Sequence, residues 1–258
     1  MNWKQILVED TKEFNELTSQ LPIQERIMFV DANLSNLDLI DAKLTGFDLS
    51  RANLTNSKVS GYHLSTCRLK DTILDNVILD DDFWKPVILN LVMIWKGSEA
   101  WNIYKKKNKS VILSKAYFSE LEFEQYDFSD VNFSSGIFTK SKFIETVLKE
   151  TIFTNSNMIN SVFDKIIFHD VTFNETDLSN SHWKNSEIKN TRLSEAKLTS
   201  AIFKDNIINN VNFNKSDCSK TVFENCTFID CSFFYTNLNM VKFINCSFNN
   251  SDIDMGFK

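Results

Sequence analysis

Residues 118–143 read FSELEFEQYDFSDVNFSSGIFTKSKF, and a phenylalanine returns at every fifth position of this stretch. The same spacing extends in both directions, and all 29 residues at five-residue steps from Leu113 to Ile253 are apolar. A period of five fits neither the repeat of about 3.6 residues in a helix nor that of about 2 in a strand. Such a chain buries its apolar positions if it turns a corner every five residues.

Four such corners close a square coil, and successive coils stack about 4.8 Å apart through strand-type hydrogen bonds. We call the apolar residue of each repeat position i, and the residue two places earlier, which is mostly small, position i−2. Residues twenty apart should then stack in the interior. One such column contains Phe123, Phe143, Phe163, Trp183, Phe203, Phe223 and Phe243. The sequence therefore predicts an all-β solenoid whose aromatic residues form the core and not an external platform for nucleic-acid bases.

An earlier block, from Phe29 to Trp84, repeats the pattern one residue out of phase with the later one. Asp31-Ala32-Asn33-Leu34 is its clearest segment, and residues 51–54 (RANL) repeat it twenty positions on. Here the sequence resembles the pentapeptide-repeat family, whose consensus is Ala, then Asp or Asn, then Leu, then two variable residues. The resemblance extends over about four-fifths of the chain, and it implies a right-handed quadrilateral β-helix.

The change of phase divides the chain. We predict an N-terminal capping helix over 1–20, a first repeat block over 27–84, an inserted element over 85–110, a second block over 111–253 and a tail over 254–258. In the capping helix, Trp3, Ile6, Leu7, Phe14 and Leu17 share one helical face. Around Pro86 two alternatives stay open: the repeat continues through residues 87–94, or a short helix begins after the proline.

The inserted element is basic in an acidic protein. The net charge of the chain is −6, and residues 85–115 hold seven Lys and one Glu, a net of +6, which leaves −12 elsewhere. The element is expected at the surface, as a hairpin, a helix-loop or a hinge. It is either a solvated connector or a docking element for a partner. The candidate docking residues are Trp95, Trp101, Tyr104, Lys105, Lys106 and Lys107.

The residues that usually carry catalysis have structural explanations here. Four cysteines fall at position i−2 and Cys218 at position i, so all five should point inward as reduced thiols. No Cys-x-x-Cys pair, in-register histidine or glycine-rich phosphate loop is present. We therefore expect no catalytic residues, no metal, no cofactor and no enzymatic activity.

Two outward features are candidate interaction sites. Asp130, Glu150, Asp170 and Asp230 fall in one column, with Asn at the other coils, and form a candidate acidic ridge. Such a ridge is either a DNA mimic or a solvated face with an amide ladder. Near the C-terminus, Phe234, Tyr235 and Phe257 form a candidate self-association surface that would support a homodimer.

These observations favour a non-enzymatic interaction scaffold with an unknown protein partner. In its acidic body and its interrupting element, the chain is similar to the quinolone-resistance and gyrase-protecting members of the family. That similarity implies an alternative function, a DNA-mimicking regulator of DNA gyrase or topoisomerase IV. Direct binding to nucleic acid or membrane is not expected. Because the sequence begins without a signal peptide and has no membrane-spanning run, a cytoplasmic location is expected.

Overall fold

The computed structural model describes residues 2–22 and 25–251. The chain forms two compact units; the first extends to Ala100 and the second begins at Trp101. The helices are α1 (Trp3–Glu9), α2 (Thr11–Ser19), α3 (Gly61–Ser65), α4 (Trp84–Trp95) and α5 (Ser98–Lys107). Nearly all the rest consists of short parallel strands and corners, arranged as a right-handed quadrilateral β-helix in each unit, as the sequence predicts.

The strands are two or three residues long. In the first unit they are β1 (Asp38–Leu39), β2 (Lys58–Val59) and β3 (Ile78–Leu79). In the second unit they are β4 (Val111–Ile112), β5 (Glu122–Glu124), β6 (Val131–Asn132), β7 (Lys142–Ile144), β8 (Val147–Lys149), β9 (Val162–Asp164), β10 (Ile167–His169), β11 (His182–Lys184), β12 (Glu187–Lys189), β13 (Ile202–Lys204), β14 (Ile207–Asn209), β15 (Val222–Glu224), β16 (Thr227–Ile229), β17 (Lys242–Ile244) and β18 (Ser247–Asn249).

In the first unit, helices cover the beginning of the solenoid. Phe14 is fully buried, with its ring 5.9 Å from that of Phe29 and 5.7 Å from that of Phe47. The predicted capping helix is divided into two helices, because Asp10 ends α1 and its side chain accepts a hydrogen bond from the Glu13 amide to cap α2. The break also changes the buried face, so that Leu17 is exposed.

The end of the first block differs from the prediction. Trp84, expected as a central repeat residue, begins α4, so the helical alternative for the stretch around Pro86 is the observed one. Proline fits this first helical turn because the amide that it lacks would have no partner there. A second helix, α5, follows after Gly97, whose φ of +97° suits a glycine. The inserted element is therefore a helical pair.

The second unit holds seven coils of twenty residues over 111–250. Two of its sides are continuous parallel sheets, in the orders β17-β15-β13-β11-β9-β7-β5 and β18-β16-β14-β12-β10-β8. The other two sides consist of the β4–β6 pair and single bridges. Every paired residue lies opposite the residue twenty positions away, as Phe143 lies opposite Phe163. The twenty-residue coil inferred from the sequence is thus confirmed.

The corners explain why so few glycines are needed. Every fifth residue from Lys115 to Asn250 has a φ between 50° and 64°, in the left-handed region. These residues are at position i+2 of each repeat, and Asn and Asp are frequent among them because their side chains tolerate this conformation. The five-residue period therefore has two causes, an apolar residue pointing inward and a left-handed residue at the corner.

The interior is as predicted. Ring centroids in the predicted aromatic column lie 4.2 Å apart between Phe163 and Trp183 and 5.1 Å apart between Trp183 and Phe203. Many of the polar residues at position i−2 make a recurring hydrogen bond to the carbonyl of the residue 23 places earlier. Thr146 Oγ1 donates to Phe123 O at 2.7 Å, and Ser141 Oγ donates to Phe118 O at 2.7 Å. Small hydroxyl residues are thus accommodated in an otherwise apolar core.

Candidate functional site

Four outward faces run along the second unit. We number them by the outward residue of the first coil: face 1 bears Ile112, face 2 Tyr117, face 3 Glu122 and face 4 Asp127. Each face presents its side chains in columns, one residue per coil, and each includes the corner column that ends it. Face 4 is the six-stranded sheet from β8 to β18, preceded by the bridge between Asp127 and Val147.

On faces 1 to 3, charged side chains pair between neighbouring coils. Seven such pairs link a Lys to an acidic residue twenty positions away. They are Lys215–Glu195 on face 1, Lys140–Glu120 and Lys197–Asp177 on face 2, and Lys142–Glu122, Lys165–Glu145, Lys184–Asp164 and Lys204–Glu224 on face 3. Between 111 and 250, these three faces carry eleven acidic and eleven basic residues, so their charges sum to zero.

Face 4 is different. Among the residues that the structure describes, it has no ion pair between coils. Its one lysine pair lies within a coil, Lys149 Nζ to Glu150 at 3.5 Å, and His169 Nδ1 lies 2.6 Å from an Asp170 carboxylate oxygen in the same coil. The face carries six carboxylates and two lysines, a net of −4 with histidine neutral. The carboxylates are those of Asp127, Asp130, Glu150, Asp170, Glu187 and Asp230. The net charges of faces 1, 2 and 3 are +1, 0 and −1, so face 4 carries by far the largest net negative charge of the four.

The predicted acidic ridge is the corner column of face 4, and the parallel register brings its members together. Its residues all have left-handed backbones, including Asp130 with φ 56° and Asp230 with φ 52°. Between its carboxylates lies part of the predicted amide ladder: Asn210 Nδ2 donates to Asn190 Oδ1 at 2.9 Å, and Asn250 Nδ2 donates to Asp230 Oδ1 at 2.6 Å. The left-handed backbone thus favours Asn and Asp in this column, and the carboxylates among its residues make the column negative.

Beside the ridge, face 4 carries a column of exposed aliphatic residues that the sequence reasoning missed. Val147, Ile167 and Ile207 are 47%, 65% and 51% exposed. Val147 lies opposite Ile167 in the next coil, and Glu187 lies between Ile167 and Ile207. The signal was available, since these residues precede position i and must point outward. Exposed β-branched residues aligned along a flat sheet are typical of an interaction surface.

Trp101, one of the predicted docking residues, lies in helix α5, which covers the beginning of the second unit. Trp101 is fully buried, and its ring lies 5.6 Å from that of Phe128. Its Nε1 donates to Asp127 O at 2.6 Å, and the Asn102 side chain accepts from Asp127 N at 2.8 Å. Trp101 therefore acts inside the unit as part of a cap.

The other predicted docking residues are divided between buried and exposed positions. Lys105 is buried, and its Nζ donates to Lys109 O at 2.6 Å. Trp95 is half-buried, with the Arg68 guanidinium 5.5 Å from its ring, and burial raises the pKa of the half-buried Tyr104. Lys106 and Lys107 are exposed. A docking role for this helical pair stays a prediction.

The candidate self-association surface lies on the last coil. Phe234 is 50% and Tyr235 89% exposed, whereas Phe257 lies outside the described residues. Position i is also more open here, since Phe248 is exposed while Phe228, its neighbour in the previous coil, is buried. Self-association stays a prediction.

The cysteines have the environments of core residues. Cys67, Cys218, Cys226 and Cys231 are buried free thiols, and Cys246 in the last coil is half-buried. Burial raises the pKa of Cys67 and of Cys218 to about 12, which suppresses the reactive thiolate. In the described ranges, no three metal-ligating side chains cluster together. None of the helices described above has the length and apolar composition needed to cross a bilayer.

Comparisons with known proteins agree with the repeat pattern. A family model described as pentapeptide repeats matches residues 32–80 and 127–164, and one described as the SV2A/B/C luminal domain matches residues 162–253. No curated protein sequence matches the chain.

Solved structures similar to the chain include full-length QnrB1, described as a plasmid-mediated fluoroquinolone resistance protein. It is 15% identical, with a TM-score of 0.36 over 83% of this chain and 92% of that one. HetL, from the cyanobacterium Nostoc sp. strain PCC 7120 and described as involved in heterocyst differentiation regulation, is 14% identical. Its TM-score is 0.26 over 87% of this chain and 88% of HetL.

Three observations address the identity of the chain. The five-residue period runs through both blocks, each period forms one side of a twenty-residue coil, and the repeat family model matches parts of both blocks. Both blocks of the chain carry repeats that match the pentapeptide-repeat family model.

Proposed function

We propose that this protein is a non-enzymatic interaction scaffold and that face 4 of the second unit is its binding surface. The observation that carries the proposal is the contrast between faces. Faces 1 to 3 together carry as many acidic as basic residues and have seven ion pairs between coils, whereas face 4 has a net charge of −4 and an exposed aliphatic column. A surface that combines unbalanced charge with exposed apolar side chains suits a protein partner of opposite charge.

The absence of enzymatic activity is part of the proposal. The buried thiols are poor nucleophiles, because burial raises the pKa of Cys226 to about 11 and that of Cys218 to about 12. Faces 1 to 3 together carry no net charge, and side chains fill the core. The main property of the coils is therefore their rigidity.

The test is capture of partners by the purified protein from an extract of its own cells, with proteins quantified by mass spectrometry. The double variant Ile167→Glu/Ile207→Glu changes face 4. The matched control, Ile137→Glu/Ile152→Glu, makes the same change at residues of faces 2 and 1 that are 36% and 37% exposed. We expect specific partners to be lost with the face 4 variant and retained with the control. Equal capture by both variants would contradict the assignment of the binding surface to face 4.

A second candidate function is regulation of a type II topoisomerase by DNA mimicry. The net charge of face 4 and its corner carboxylates favour it, since repeating carboxylates about 4.8 Å apart present closely spaced negative charge. Charge neutrality on faces 1 to 3 disfavours it, because duplex DNA is negative on all sides.

This candidate has its own test, supercoiling by purified gyrase and decatenation by topoisomerase IV, each with and without ciprofloxacin. Under DNA mimicry, the protein inhibits or protects the enzyme, and the triple variant Asp130→Lys/Glu150→Lys/Asp170→Lys does not. No effect at micromolar protein would exclude these enzymes as partners. A cytoplasmic location and a homodimer through the last coil stay predictions beside both functions.

A further inference from the structure

The spacing of side chains on face 4 restricts what can lie along it. Val147, Ile167, Glu187 and Ile207 occupy one column at consecutive coils. With a separation of about 4.8 Å between coils, they stand at roughly 0, 5, 10 and 14 Å along the axis. The column therefore reads apolar, apolar, acidic, apolar.

An α-helix laid along the axis matches this column. Residues i, i+3, i+7 and i+10 of a helix lie at about 0, 4.5, 10.5 and 15 Å and share one face, because each residue rises about 1.5 Å. An extended strand fits poorly, since side chains on one of its faces recur about every 6.8 Å. The helix fits all four positions to within about 1 Å, whereas a strand is already about 2 Å out of register at the second.

The charges of face 4 indicate which residues this helix should carry. Glu187 is exposed between two isoleucines and has no ion pair among the described residues, so a cation on the helix would neutralise it. Asp130 and Asp230 at the corner would attract further cations on the flank. Lys149 and His169 lie close to Glu150 and Asp170, which reduces their opposition to a basic helix. Lys189, two residues from Glu187 on the same strand, has no ion pair among the described residues and opposes such a helix most.

We propose that face 4 binds a basic amphipathic α-helix of a partner protein, laid along the axis of the coils. Its recognition pattern has apolar residues at i, i+3 and i+10 and a Lys or Arg at i+7, read in either chain direction. This inference rests on the proposed function, since it assigns a partner class to the same face.

The probe is a fluorescein-labelled synthetic helix of about 20 residues, with leucine at i, i+3 and i+10, lysine at i+7, and alanine, glutamine and flanking lysines elsewhere. A reversed-sequence peptide tests the other direction. The control peptide has the same composition, but its residues i+7 and i+10 are exchanged, so that it matches the column in neither direction. Binding is measured by fluorescence anisotropy at physiological salt, and helix formation is measured by circular dichroism.

We expect the matched or the reversed peptide to bind and to gain helicity, with the exchanged peptide at least about tenfold weaker. Ile167→Glu/Ile207→Glu should abolish binding. Glu187→Gln, a conservative surface change, should weaken it several-fold, and Glu175→Gln on face 1 should not. The inference is overturned if neither direction binds, if the exchanged peptide binds as well, or if Glu187→Gln has no effect.

The two proposals fail separately. If face-4-dependent capture from the cell extract persists while no helical peptide binds, the scaffold stands and its partner is not a helix. If the matched peptide binds but capture does not depend on face 4, the helix site stands and the proposed function of the face is wrong.

Discussion

Asn210 Nδ2 donates a hydrogen bond of 2.9 Å to Asn190 Oδ1 in the preceding coil, and both residues have a φ of 51°. The same residue type thus satisfies two requirements at once, a left-handed corner and a hydrogen bond between coils. Asn56 and Asn36 make the same link in the first unit, at 3.0 Å, with φ values of 59° and 60°. The corner is therefore the position at which backbone conformation and surface chemistry are most tightly coupled.

The first prediction concerns this corner. Replacing Asn210 with Val should lower the free energy of unfolding by about 1–3 kcal/mol, because a β-branched residue is strained in the left-handed region. Asn210→Gly should cost much less, since glycine adopts this conformation freely. Urea denaturation of both variants measures the difference, and equal stabilities would show that backbone strain does not determine the corner residue.

The second prediction concerns the aromatic column. Phe203 is fully buried between Trp183 and Phe223, with ring centroids 5.1 Å and 4.8 Å away. Phe203→Ala should therefore cost about 3–5 kcal/mol. The exposed Ile207 serves as the control, and Ile207→Ala should cost less than about 1 kcal/mol. Similar losses for both variants in urea denaturation would contradict the assignment of core and surface.

The third prediction concerns the cap on the second unit. Trp101→Ala removes a buried ring from Phe128 and the donor to Asp127 O, so it should cost about 3–5 kcal/mol. Hydrogen exchange should accelerate most in the first coil. Trp101→Phe keeps a smaller ring and loses the hydrogen bond, so it should cost less than Trp101→Ala, about 1–3 kcal/mol. If exchange in the first coil is unchanged in both variants, α5 does not stabilise it.

The fourth prediction concerns acid stability. Hydrogen bonds from Lys165 and Gln125 lower the pKa of Glu145 below its usual value of 4.5. The unfolded chain therefore binds this proton more readily than the folded one, and the stability due to Glu145 is lost as pH falls from 4.5 through the folded pKa. Glu145→Gln should lose less stability than wild type between neutral pH and about pH 3.

The screening of this exposed pair makes the effect small, so it is best measured as a difference between urea midpoints at the two pH values. Glu175→Gln, at a corner residue with no ion pair in the described part of the chain, is the matched control and should leave the acid dependence unchanged. An identical dependence in wild type and Glu145→Gln would show that the Lys165 pair does not affect folding.

The fifth prediction concerns thiol reactivity. Cys246 is half-buried in the last coil, whereas Cys218 is fully buried and burial raises its pKa to about 12. At about pH 8, a thiol reagent should modify one cysteine rapidly in the native protein and the rest only after denaturation. Cys246→Ser should remove the rapid phase and Cys218→Ser should leave it. Persistence of the rapid phase in Cys246→Ser would place the accessible thiol elsewhere.

The repeating part of the fold could be predicted because one residue in five is enough to define it. Phe123 and Phe143 stack at 5.1 Å, as their twenty-residue separation requires. The backbone conformation of the corners was not predicted, since Lys115 and Glu120 do not by themselves indicate a positive φ. Whether the stretch from Trp84 forms a helix or continues the repeat could not be decided from periodicity, because its apolar residues fit both.

The candidate site was predicted in part. The sequence predicted one column that contains Asp130, Glu150, Asp170 and Asp230, because their separations are multiples of twenty. It could not show which carboxylates are neutralised, since Lys165 reaches Glu145 in the previous coil while Lys149 pairs with Glu150 in its own. Long flexible side chains have several possible partners within reach, and only their positions on adjacent coils decide between them.

By itself, the sequence determined the coil, the interior columns and the inward direction of the cysteines, because all three follow from a strict period imposed by burial. The tertiary structure alone decided that Trp101 lies against Phe128 as a cap, that ion pairs link neighbouring coils on faces 1 to 3 and that none does so among the described residues of face 4. The physical reason is that burial acts on each repeat independently, whereas ion pairs and helix docking depend on distances between residues from different coils and elements.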